Sequence, residues 1–127
     1  MKKILILNCE LGTQMQIYLA LCDAYKIEIA EDIEAVMYYL RKMRPEIILL
    51  DYHLDESHSN VKTGLDLAKK LKKKYGDLKI MMLVDDEEMN FESEEGELIA
   101  DGILHKPIKN SHLISNMRRL AATPNLA

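Results

Sequence analysis

Asp51 closes one apolar run, Pro45-Glu46-Ile47-Ile48-Leu49-Leu50-Asp51, and Lys106 closes another, Gly102-Ile103-Leu104-His105-Lys106-Pro107. A carboxylate ending one buried parallel strand and a lysine ending a second would meet at the C-terminal edge of a single sheet. Open α/β sheets place their chemistry at that edge. An aspartate with a lysine beside it is the core of a phosphoryl-accepting site, where the lysine supplies a fixed positive charge.

The elements that must position these two residues follow from hydrophobic spacing. Ile4-Leu5-Ile6-Leu7 reads as a buried strand. Leu11, Met15, Leu19 and Cys22 recur at helical spacing and predict the inward face of a first helix. Ile27-Glu28-Ile29 alternates as a more exposed strand. Asp32 caps a helix facing inward through Ile33, Val36, Met37 and Leu40, and Pro45 stops it. Ile47 to Leu50 is apolar on both faces, as a central parallel strand requires. A polar loop covers 52–63. A third helix carries Leu65, Ala68, Leu71 and Tyr75 and is closed by Gly76. Ile80 to Val84 is the fourth strand. A weak acidic helix follows, with Met89, Phe91, Leu98 and Ile99 as contacts, and Ile103-Leu104 is the fifth strand. Asn110 or Ser111 caps a last helix with Leu113, Met117 and Leu120 inward, and Pro124 ends the ordered chain. Five β-α units imply a parallel sheet with helices on both faces, in one domain over 1–123 with a tail at 124–127.

The bulk numbers agree with a single soluble domain. The chain has 127 residues, 48% hydrophobic and 30% charged, enough for a core without staples. A net charge of −4 argues against a nucleic-acid partner. Cys9 and Cys22 lack C-x-x-C spacing, and His53, His58, His105 and His112 lack ligand spacing, so no zinc site is expected. Cys9 reads as a small packed side chain, and the eight methionines as core filler. The four-residue apolar run after Lys2-Lys3 is too short for a signal peptide, and no stretch could span a membrane. A cytoplasmic protein with reduced thiols is expected. The lysine block at 69–74 and the acidic segment at 85–101 read as solvated faces. The sharper reading of the acidic segment is a docking face for a downstream protein partner.

Over essentially its whole length the chain resembles a response-regulator receiver domain of two-component signalling. The resemblance rests on the five βα units, on Asp51, on Gly64-Leu65-Asp66-Leu67 opening the third helix, and on Lys106-Pro107. It implies a flavodoxin-like strand order, 2-1-3-4-5. It implies a phosphoryl group passed to Asp51 from a histidine kinase or phosphotransfer protein, with Lys106 pairing to its oxygens. The two acidic Mg²⁺ residues of the family fall on Asn8-Cys9, followed by Glu10. The family's metal also takes a backbone carbonyl, here that of His53. The family's hydroxyl position is Val84, its small neighbour is Asp85, and its aromatic is Ile103. Asp51 and Lys106 match the pattern, whereas Cys9, Val84, Asp85 and Ile103 depart from it.

The resemblance therefore implies an atypical receiver, not an enzyme beyond self-phosphorylation from a phosphodonor. Mg²⁺ would be held weakly by Asp51, Asn8, Glu10 and the His53 carbonyl, and output would run through protein–protein contacts. One alternative is a pseudo-receiver that binds partners without phosphorylation. Another is a flavin-binding or enzymatic domain on the same fold. The loop from Asn8 to Thr13 lacks the hydroxyl- and glycine-rich character that grips a flavin phosphate, and no paired catalytic acid and base stands out.

Overall fold

Residues 1–54, 63–85 and 99–122 are described by the computed structural model. Within them run β1 (Lys2–Leu7), α1 (Leu11–Leu21), β2 (Tyr25–Ala30), α2 (Ile33–Lys42), β3 (Ile47–Asp51), α3 (Gly64–Lys74), β4 (Lys79–Val84), β5 (Gly102–His105) and α4 (Asn110–Ala122). The five strands form one parallel sheet in the order β2-β1-β3-β4-β5, the order expected from the sequence. The acidic helix expected at 85–101 and the loop at 52–63 fall largely outside the described residues, as does the tail from 123.

Side chains alternate across the sheet, and the alternation sorts the core into two layers. Leu5, Leu7, Ile48, Leu50, Ile80, Met82 and Val84 face α2 and α3, while Ile4, Ile6, Ile47, Leu49, Met81 and Leu83 face α1 and α4. β3 and β4 are buried at every residue, because helices cover both faces. α2 starts as expected, with the Asp32 carboxylate accepting from Ala35 N at 2.8 Å. α4 buries Leu113, Met117 and Leu120, the expected stripe.

Several local expectations are corrected. α1 turns Ile17 and Leu21 inward; Leu11 and Leu19 are 71% and 68% exposed and Met15 is also exposed. The helix is apolar nearly all round, so spacing alone could not select its buried side. α2 ends before Pro45 because Arg44 adopts a left-handed φ of 51°, a residue that closes the turn as a C′ cap. α3 ends at Lys74, and Gly76 is not left-handed, so it does not act as that cap. Asn110 already lies in the first turn of α4, and its side-chain oxygen accepts from Gln16 Nε2. Met1 and Met15 are exposed, whereas Met43, Met81, Met82 and Met117 are core residues.

The start of α3 fixes how close that helix comes to β3. Thr63 and Asp66 form a reciprocal capping box, each side chain bonding the other's backbone N–H at 3.3 Å. Gly64 N–H donates to Tyr52 O at 2.6 Å, and a Cβ on Gly64 would stand 2.2 Å from Asp51 O. The helix can lie on the end of β3 only because no side chain intervenes. Gly64→Ala is expected to lower stability by about 1–3 kcal/mol through backbone displacement. Gly12→Ala, where a Cβ meets nothing within 4 Å, should instead gain about 0.5–1 kcal/mol from helix propensity. Denaturant midpoints of the two variants check the contrast, which fails if both move the same way.

Candidate functional site

Asp51 is the last residue of β3 and is 0% exposed. A carboxylate in that position must be paired and hydrogen-bonded. Its Oδ2 accepts from Lys106 Nζ at 2.6 Å and from Asn8 Nδ2 at 2.5 Å. Its Oδ1 accepts from the backbone N–H of His53 at 2.9 Å. The ends of β1, β3 and β5 thus converge on one carboxylate, as strand order places them.

Lys106 is the cation of the group. It bonds Glu10 Oε1 at 3.2 Å as well as Asp51, and Asp85 Oδ1 lies 4.0 Å away. Burial pushes its pKa down, but the hydrogen bond and charge of Asp51, then Glu10 and Asp85, outweigh burial and leave it raised. Asp85 also faces His53, Nε2 to Oδ2 at 3.3 Å. A cavity of about 310 Å³ opens here, lined by Glu10, Thr13, Gln16, Asp85, Lys106, Pro107 and Ile108. A larger one, about 680 Å³, lies at the opposite edge beside the ends of α2 and α3, away from this cluster.

Asn8 is 3% exposed and held from every side. Its Oδ1 accepts from Glu10 N–H at 2.7 Å, and its backbone carbonyl accepts from Gln14 Nε2. The carboxamide orientation follows from these partners. Turned over, it would set an oxygen against Asp51 and an NH₂ against the Glu10 N–H. Cys9, expected to pack inside, is exposed, because β1 ends before it and its side chain leaves the sheet.

These donors do not fit a Mg²⁺ site as they stand. Mg²⁺ needs oxygen ligands in near-octahedral array. The Asn8 oxygen is committed to a backbone N–H, Cys9 offers soft sulfur, and the Glu10 carboxylate pairs with Lys106. Among the described residues no group of three or more His, Cys, Asp or Glu could hold a metal. The backbone contact of His53 with Asp51 is made through its N–H.

The remaining sequence candidates are placed as follows. Val84 is fully buried and Ile103 half-buried, and both belong to the apolar layer under α2 and α3. Asp85 and Asp101, the described acids of the 85–101 segment, face cations of the fold itself. Asp101 pairs with Lys72 at 2.7 Å and also accepts from Ile80 N–H. The acids between them lie outside the described residues. The His53–Asp85 pair and the direction of the Asn8 amide were not foreseen, since neither has a signature in spacing.

The profile of the response regulator receiver domain matches residues 10–118. No significant sequence match to a curated protein was found. Among solved structures, the N-terminal signal receiver domain of a response regulator from Bacteroides fragilis is 20% identical, with a TM-score of 0.86 over 98% of this chain and 99% of that one. The receiver domain of NtrX from Brucella abortus is 22% identical, with a TM-score of 0.84 over 95% and 99% of the two chains. The chemotaxis protein CheY4 of Vibrio cholerae is 24% identical, with a TM-score of 0.74 over 94% and 98%. At these identities the likeness speaks to the fold.

Removing Lys106 leaves the buried Asp51 carboxylate with two neutral donors, the Asn8 amide and the His53 N–H, and no cation. Lys106→Met is expected to cost about 3 kcal/mol near neutral pH. A raised lysine pKa contributes stability that is complete below its unfolded value, about 10.4, and is lost as pH rises through the higher folded value. The stability gap between wild type and Lys106→Met should therefore hold to about pH 10 and narrow above it. Denaturant melts across that range check this, and a gap that widens with alkali would contradict it.

Proposed function

The chain belongs to the response regulator receiver domain family, and on that premise we propose that it is an atypical phosphorelay receiver. It takes a phosphoryl group on Asp51 and signals through protein–protein contacts. The observation that carries this reading is the Lys106 ammonium 2.6 Å from a buried aspartate at the carboxyl edge of the sheet. It is a signalling module that works in the cytoplasm, and its partners are a histidine kinase or phosphotransfer protein and a downstream protein. Among the described residues no helix is long and apolar enough to cross a membrane.

The contacts assign roles. Asp51 Oδ2 already accepts two donors, whereas Oδ1 accepts only the His53 N–H among the contacts described. Oδ1 is the oxygen with electron density left to attack phosphorus. The new O–P bond forms as the donor's N–P or O–P bond breaks, and the bonding pair leaves with the donor. Lys106 then pairs with the transferred group, exchanging its contact with Glu10 for one with a phosphoryl oxygen. Receiver domains typically bind Mg²⁺ beside this aspartate; no step here depends on it.

A second reading has its own observation. The Val84 side chain offers no hydrogen bond and Ile103 no aromatic ring, so a pseudo-receiver working without phosphorylation also fits. Intact mass spectrometry after exposure to acetyl phosphate or phosphoramidate separates the two. One added phosphoryl group on wild type and none on Asp51→Asn is expected, and an unmodified wild type would favour the pseudo-receiver.

Two further outcomes follow for signalling. A ligand shifts an equilibrium only through differential contacts with its two states. Beryllofluoride should therefore move amide resonances near Asp51 but only slightly at Val84 and Ile103. Large shifts at those two residues would show that an ordinary switch operates. If the acids within 85–101 dock a basic partner, association slows as salt rises, and reversing Glu92, Glu94 and Glu95 to Lys weakens it. Unchanged partner capture by that triple variant would return the segment to a solvated surface.

A further inference from the structure

Asn8 stands where the family implies a metal-binding acid, yet it presents an N–H to Asp51 at 2.5 Å rather than an oxygen to a cation. We propose that the Asn8 amide takes the place of a divalent cation, so that the working state of the site is metal-free. The phosphoryl part of this inference rests on the reading of Asp51 given above. The metal part stands on Asn8 itself.

The case begins with charge. Two carboxylates this close cannot both stay ionised without a proton or a cation between them. An asparagine removes the repulsion and supplies a donor. At the inner position the Lys106 ammonium then faces one buried carboxylate, Asp51, at 2.6 Å, while the more exposed Glu10 and Asp85 lie 3.2 and 4.0 Å from it. The amide is also built in place. Its oxygen accepts from Glu10 N–H, and its backbone carbonyl takes the Gln14 side chain from the first turn of α1. Turning the oxygen toward a cation would break the first bond and leave the part-buried Glu10 N–H without it. The role of Asn8 is positioning. It fixes Oδ2 and leaves Oδ1 with only the His53 N–H among the contacts described.

The substitution Asn8→Asp supplies the test, because it restores like-charge repulsion that only a cation can relieve. Wild type should show no saturable heat and no change in melting temperature up to about 10 mM Mg²⁺. Asn8→Asp should melt lower than wild type in chelator and recover as Mg²⁺ is added. Phosphoryl labelling of wild-type Asp51 by phosphoramidate should proceed at the same rate in chelator as in Mg²⁺. Saturable wild-type binding of Mg²⁺ below about 1 mM, or labelling abolished by chelator, would overturn the inference. Should Asn8→Asp not fold, the wild-type titration and chelator comparison still decide. If wild type takes no phosphoryl group in either condition, the phosphoacceptor reading fails, while a silent Mg²⁺ titration leaves the metal-free site standing.

Discussion

The fold is organised around the burial of one charge. Asp51 is fully removed from water, and an unpaired carboxylate there would cost several kcal/mol. Its partners come from separate places: Asn8 at the end of β1, the N–H of His53 just past β3, and Lys106 after β5. They meet because the order β2-β1-β3-β4-β5 sets β3 between β1 and β4, with β5 next to β4. Gly64 belongs to the same constraint, since the start of α3 touches the Asp51 backbone where a Cβ would collide. The apolar layers stabilise the sheet, but this carboxylate decides what each strand must bring to its carboxyl end.

A second shell of charge surrounds the first. Glu10 and Asp85 flank Lys106, and His53 faces Asp85. Around the mouth of the site three carboxylates, Asp51, Glu10 and Asp85, stand against a single lysine. Glu10 is more than half exposed, so its pair with Lys106 is screened and cheap to break. The contact between Lys106 and Asp51 lies deeper, where separation is costly. The inner pair therefore persists while the outer contacts can exchange.

The strands were legible because each is a short apolar run with a defined end. β3 and β4 carry no polar residue between their first and last positions, a pattern only a strand covered on both faces tolerates. Asp51 and Lys106 were legible for the same reason, since polar residues closing such runs must sit at the edge. α1 was misread because Leu11, Met15 and Leu19 are as apolar as Ile17 and Leu21, and composition does not say which side meets the sheet. Cys9 was misread because the end of β1, not the thiol's packing preference, sets its exposure. The direction of the Asn8 amide could not be read at all. It depends on a backbone N–H two residues on and a carboxylate 43 residues away.

The departures from the family pattern form one set when read by contact. An aromatic that changes position needs a space to leave and a space to enter, and a hydroxyl that follows a phosphoryl group needs a donor. Val84 and Ile103 instead share an apolar layer with residues of β1, β3, α2 and α3. Side-chain hydrogen bonds also link the Asp51 cluster to α1. Gln14 holds the Asn8 carbonyl, and Gln16 holds the Ile108 carbonyl at 2.6 Å, two residues beyond Lys106. Both glutamines lie on the helix that carries exposed Leu11, Met15 and Leu19. A change at Asp51 or Lys106 thus meets side-chain hydrogen bonds toward α1, and toward Val84 the backbone bond from Lys106 N–H to Val84 O at 2.8 Å.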